Sequence, residues 1–179
     1  MKRFLITIIS IFATSNLAIA GDWILRTTKD NMTDQPSKEV FVTSPGGEKF
    51  TIIRRSDEKV WGYIQLSGIN QFSVNERLML RVDKNKPHEI NEDLQNLTKR
   101  LGNPIGSWEW NPNLIGFLIW HGKINEGCGI IKELFDGKKM IIRYHPNKST
   151  IRDIEFPLTG NRKAISDALS LDLSNCPAQ

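Results

Sequence analysis

Three histidines, His88, His121 and His145, are the only imidazoles of this 179-residue chain. None lies in a His-Glu-x-x-His helix or a His-x-His pair, the spacings that bring two rings onto one metal ion. A zinc site built from two of them with Asp83 or Glu126 has no sequence signature. His88 and His145 read instead as exposed turn residues and His121 as a strand-end residue. No Gly-x-Ser-x-Gly elbow is present. Cys128, in Glu126-Gly127-Cys128-Gly129, would be nucleophilic as a thiolate at a helix start, but a second cysteine, Cys176, offers it a partner. Asp30 and Asp34 lack the spaced ladder of a calcium loop, and Asp30 and Thr33 are expected to hold a turn through hydrogen bonds to nearby backbone. Glu89, Glu92 and Asp93 read as a solvated acidic face rather than a hydrolytic carboxylate pair. No catalytic residue, metal or cofactor is therefore assigned.

Two groups of side chains suit binding. Arg81 and Asp83 alternate on one predicted strand and project to one face, and Arg143 ends another strand rich in Ile. Together they form either a salt-bridged cluster at a sandwich edge or a site that grips a carboxylate or phosphate through paired guanidinium hydrogen bonds. Trp108 and Trp110, beside Asn111-Pro112-Asn113, are either buried or loop anchors of the kind that dominate binding hot spots.

The elements that must position these residues have mostly a period of two, the pattern of half-buried strands. Strands are predicted over 22–27, 38–43, 49–54, 59–66, 77–83, 114–120, 139–144 and 149–156. Ser44-Pro45-Gly46-Gly47 turns the second into the third, since Pro presets one turn dihedral and Gly permits positive φ. Ile130, Ile131, Leu134 and Phe135 mark a short helix ending at Asp136-Gly137, and residues 162–171 mark another with Asn161 as its cap. Residues 89–100 fit a short amphipathic helix or an irregular loop. The expected architecture is mainly β, an antiparallel β-sandwich with two or three short covering helices.

At the N-terminus, Lys2 and Arg3 precede an apolar run from Phe4 to Ala13 and the small-residue pattern Ala18-Ile19-Ala20, the three parts of a secretory signal peptide. Residues 1–20 are expected to be removed, leaving residues 21–179 as one domain in the periplasm or secreted medium. No later stretch has the roughly 20 apolar residues of a membrane-spanning helix. Loss of Lys2 and Arg3 lowers the formal charge from +4 to +2. The remaining Lys and Arg pairs are scattered among acids, which argues against nucleic acid as a partner. In an oxidising compartment Cys128 and Cys176 are expected to form a disulfide, with two buried free thiols or an active redox pair as the alternatives.

The order of elements, the N-terminal tryptophan strand with Asp30-Asn31-Met32-Thr33-Asp34, the strand ending Arg81-Val82-Asp83 and the closing run from Met140 to Cys176 carry a resemblance. The chain resembles periplasmic accessory proteins associated with type VI secretion and, more distantly, invasion-associated locus B proteins. The resemblance implies a β-sandwich with an accessory or binding role, an envelope or secretion-system protein as partner, and no catalytic site. Members of this group often carry a cysteine at the end of the strand that is 51–55 here, where this chain has Arg54-Arg55. An inhibitor or immunity-type protein acting on a cell-wall enzyme or toxin is the alternative function.

The processed N-terminus is expected at Gly21. Intact-mass measurement of protein recovered from periplasm should show loss of residues 1–20, and a mass that retains them refutes the cleavage site.

Overall fold

A computed structural model describes residues 22–29, 36–73, 78–90, 112–122, 128–171, 173 and 176. The expected cleavage site, Trp108 and Trp110 lie outside the described residues. The described residues fold as two antiparallel sheets with two short helices, the mainly β sandwich that the period-two pattern implies. The first sheet has the order β1 (Ile24–Lys29), β2 (Pro36–Thr43), β3 (Lys49–Arg54), β4 (Val60–Gln65) and β7 (Leu114–Trp120). The second has the order β6 (His88–Glu89), β5 (Met79–Val82), β8 (Lys139–Asn147) and β9 (Thr150–Pro157).

The two sheets meet through aromatic rings. Phe50 on β3 stacks on Phe117 of β7 at 6.3 Å and contacts Phe156 of β9, in the opposite sheet, at 5.9 Å. Trp23 meets Phe50 edge-on at 6.4 Å. Such pairs contribute about 0.5–1.5 kcal/mol each beyond the area they bury. Around them, Val40, Val42, Ile52, Val60 and Ile64 from the first sheet face Leu80, Met140 and Ile142 from the second, all fully buried. Gly62 makes room for this cluster, because a Cβ there would come within 3.0 Å of the Phe50 ring and 3.2 Å of Phe117.

Helix α1 (Gly129–Asp136) buries Ile130, Ile131, Leu134 and Phe135, the residues whose spacing predicts it, and α2 (Asn161–Leu169) buries Ile165, Ala168 and Leu169. Both pack toward the sandwich interior. The carbonyl of Leu169 in α2 accepts a 2.8 Å hydrogen bond from Arg54, and the end of α1 at Gly137 touches the inward residues Val82 and Leu158. Asn161 does not cap its own helix as expected. Gly160 holds the cap position with φ 79°, and the buried Asn161 amide donates to the carbonyls of Leu134 and Phe135 at the end of α1. Those carbonyls are among the four that every helix leaves without intrahelical donors, so Asn161 joins the two helices.

Cys128 and Cys176 are bonded, with Cα atoms 5.9 Å apart and a sequence separation of 48. Both are buried, and no free cysteine is present. The bridge ties the residue before α1 to the segment after α2. A closed loop of this length stabilises a fold by about 4 kcal/mol in the chain-entropy account. Cys176→Ser should therefore lower stability by up to about 4 kcal/mol in denaturant titration. Titration of two thiols in denatured, unreduced wild-type protein would exclude the bridge.

Candidate functional site

Of the polar cluster expected from the sequence, the structure keeps two members on one face and removes the third. Arg81 lies on β5 and Arg143 on β8, where Met79 is the register partner of Arg143 and Ile141 that of Arg81. Their strands alternate with the buried Leu80, Val82, Ile142 and Tyr144, so both guanidinium groups face solvent on the outer side of the second sheet. Asp83 is not on that face. Strand β5 stops at Val82, and Asp83 turns the chain with φ 49°. Its carboxylate accepts hydrogen bonds from the backbone N–H of Lys138 at 3.1 Å and of Lys139 at 3.0 Å. The alternation assumed for Arg81 and Asp83 fails because the strand ends one residue earlier, and Asp83 is used to hold the entry to β8.

Arg143 is also occupied. Its Nε and terminal nitrogen donate to the two carboxylate oxygens of Asp153, its register partner on β9, both at 2.7 Å. Arg143 hydrogen bonding holds the Asp153 carboxyl below the ordinary carboxylate range, with smaller Coulombic contributions from Arg143 and Arg81 opposing a partial desolvation. The same pair raises Arg143 above its ordinary value. Lys139 pairs across the same strands with Glu155 at 3.0 Å. This face is a lattice of opposite charges, and the salt-bridged reading fits it better than an open anion grip.

The histidines also differ from expectation. His88 is not a free turn residue: it forms β6, and its Nε2 lies 2.7 Å from Glu133 Oε1 on α1, while Asn85 donates to the other Glu133 oxygen at 2.8 Å. These groups border a cleft of about 520 Å³ with Lys86, Lys132 and Asp136. Lys132 is paired with Asp136 at 2.6 Å, and the carboxylate of Glu133 is shared by two donors, so the lining links α1 to the β5–β6 hairpin. His145 belongs to β8 and is partly buried, and His121 is exposed just after β7. Among the described residues, no group of three His, Cys, Asp or Glu is placed to hold a metal ion.

The feature that sequence reasoning missed is on the outer face of the first sheet. With Phe50, Ile52, Gly62, Ile64 and Phe117 turned inward, the opposite positions of the same strands face out. They form two rows in register: Ile24, Phe41, Thr51, Tyr63 and Gly116, then Arg26, Glu39, Ile53, Trp61 and Leu118. A solvated sheet face normally alternates to polar residues, and apolar residues at both parities mark a sheet covered on both sides. Runs such as Val60-Trp61-Gly62-Tyr63-Ile64 and Leu114-Ile115-Gly116-Phe117-Leu118-Ile119 carry that signal in the sequence.

On this face cations lie on rings. The Arg55 guanidinium is 4.5 Å from the centroid of Trp61 and 6.0 Å from that of Tyr63, and it hydrogen-bonds the Tyr63 hydroxyl. Lys49 Nζ sits 4.1 Å from the centroid of Phe41, and Arg26, paired with Glu39, lies 5.9 Å from the same ring. Each such contact is worth about 0.5–1 kcal/mol at an exposed site. Gly116 is what lets the Tyr63 ring lie across β7, since a Cβ there would fall 2.7 Å from Tyr63 Cε1. Trp61 is 4% exposed, and its indole N–H is buried without an acceptor among the described residues.

Comparison with known proteins returns no matching family model, no matching curated protein and no matching solved structure. Among the described residues no helix is long and apolar enough to cross a membrane.

The Asp153 carboxyl should titrate below the ordinary carboxylate range by NMR and return toward it in Arg143→Gln. Because the folded value is depressed, the pair's contribution is complete above the unfolded carboxyl pKa and fades as pH falls through the folded one. Unchanged titration in Arg143→Gln would show that Asp153 is held by something else.

Proposed function

We propose that this chain is an exported, non-enzymatic binding module of the bacterial envelope that captures another envelope or secretion-system protein through the outer face of its five-stranded sheet. The observation that carries this reading is the Arg55 guanidinium lying over Trp61 and Tyr63 at one end of a face rich in apolar side chains. Trp, Tyr and Arg are the residues most enriched at binding hot spots, Trp and Tyr because they combine large contact area with few rotatable bonds and Arg because its planar fork makes paired hydrogen bonds. The neighbouring Ile53, Leu118 and Phe41 are partly buried and extend the apolar area around that centre.

The charged face of the second sheet supports a different role. Its Arg143 and Lys139 are paired with acids of β9, and exposed pairs of this kind contribute about 0.2–1 kcal/mol each. Charges held on an edge strand also discourage a second chain from pairing with it. This face keeps β9 solvated, while the aromatic face offers contact area. Export, as the N-terminal pattern implies, places that surface where envelope proteins are the available partners.

The test is affinity capture from periplasmic extract with wild-type protein and with Tyr63→Ala and Arg55→Glu. Loss of a wild-type partner from both variants, with melting temperatures close to wild type, supports docking on this face. A partner retained by both variants removes the face from the proposal.

A further inference from the structure

Strand β3 places cations at both ends of the aromatic face. Its outward residues run Lys49, Thr51, Ile53 and, just past the strand, Arg55, because Phe50, Ile52 and Arg54 point inward. At about 3.3 Å per residue, Lys49 and Arg55 are separated by roughly 20 Å. Between them lie Thr51, buried between the register partners Phe41 and Tyr63, and Ile53 beside Trp61. Neither Lys49 nor Arg55 has a carboxylate partner among the described residues, in contrast to Arg26 with Glu39 and Lys59 with Asp57. The acid that senses Arg55 is Asp57, and there the hydrogen bond from Lys59 dominates while Arg55 is the smallest of the influences. The outward positions of β1 to β4 and β7, extended to Arg55, thus carry three cations, Arg26, Lys49 and Arg55, against one acid, Glu39.

A second observation concerns hydrogen bonding. Among the described residues the buried indole N–H of Trp61 has no acceptor, and it lies beneath the Arg55 guanidinium, which is itself purely a donor. Buried donors are nearly always satisfied in folded proteins, and one left unmet costs about 1–3 kcal/mol. A ligand that supplies acceptors and negative charge at Arg55 answers the excess of cations. Stacking on Trp61 and Tyr63 also holds the Arg55 fork in place, so that less side-chain entropy remains to be lost when it takes a carboxylate.

From this we infer that the occupant of the face is an extended, acidic protein segment lying along β3, with two carboxylates six residues apart, one on Lys49 and one on Arg55, and apolar side chains between them over Ile53 and the aromatic rings. The inference rests on the docking reading above and names the chemistry of the partner. In an extended segment, residues i, i+2, i+4 and i+6 share one side, so the spacing that matches Lys49 to Arg55 also turns the two intervening same-side residues toward the sheet.

The probe is the blocked peptide Glu-Thr-Val-Thr-Val-Thr-Glu, titrated into the full mature protein and followed by NMR at the Trp61 indole N–H and the Arg55 Nε–H. Two reference peptides accompany it: one with both Glu replaced by Gln, and one of the same composition with its two Glu residues two positions apart. The six-apart acidic peptide should move both resonances and bind roughly tenfold more tightly than the Gln peptide, with Lys49→Gln and Arg55→Gln each weakening it by up to about fivefold. Equal binding of the Gln peptide, equal binding of the two-apart peptide, or no shift at Trp61 and Arg55 with any of them overturns the inference. Periplasmic capture separates the two levels. A partner lost with Tyr63→Ala but kept by the Lys49→Gln, Arg55→Gln double variant leaves docking in place and removes the acidic segment, whereas a partner kept by Tyr63→Ala removes both.

Discussion

The position of one ring, Phe50, governs most of what this protein presents to its surroundings. Phe50 is fully buried between the sheets and touches Trp23, Phe117 and Phe156. Side chains of a strand alternate strictly, and a slip of one residue would move every side chain of β3 to the other face. Seating Phe50 and Ile52 inside therefore forces Lys49, Thr51, Ile53 and Arg55 outside. Gly62 permits that seating, since any side chain there would meet Phe50 and Phe117. Through the register with β2 and β4, the same choice turns Phe41, Trp61 and Tyr63 outward.

The helices close the sandwich by using polar groups that helix ends leave over. Asn161 donates to the last carbonyls of α1, and Arg162 reaches Phe135 and Asp136 in the same region. Arg54, from the inner side of β3, donates to Leu169 at the end of α2. These three side chains satisfy acceptors that would otherwise have to face water, which allows both helix ends to sit against the core. The disulfide adds a covalent constraint between the segments flanking the helix pair. The His88 and Asn85 contacts to Glu133 fasten the outer side of α1 to the second sheet in the same manner.

The two outer faces treat charge in opposite ways. On the second sheet, Arg143 and Lys139 are matched by acids on the neighbouring strand. On the first, two of the cations lie on aromatic rings instead of beside carboxylates. A ring face attracts a cation through its quadrupole without neutralising it, so the two charges keep their full value.

How much of this was legible in the sequence follows from what each signal depends on. Period-two patterning, turn residues and the spacing of Ile130, Ile131, Leu134 and Phe135 are local, and they yielded the mainly β class, most strands and both described helices. The pairing of Cys128 with Cys176 was legible because a chain with two cysteines permits one intramolecular bridge. Asp83 was misread because strand alternation was carried one residue past the point where φ turns positive, a boundary set by the hydrogen bonds to Lys138 and Lys139. Asn161 was assigned to its own helix because a partner 27 residues earlier has no local trace. Trp61, Tyr63 and Arg55 were present all along as types, but apolar residues at both parities of β3, β4 and β7 do not say which set faces inward. Only the packing of Phe50 against the opposite sheet decides that, because choosing between the two faces of a strand requires the other layer to be in place.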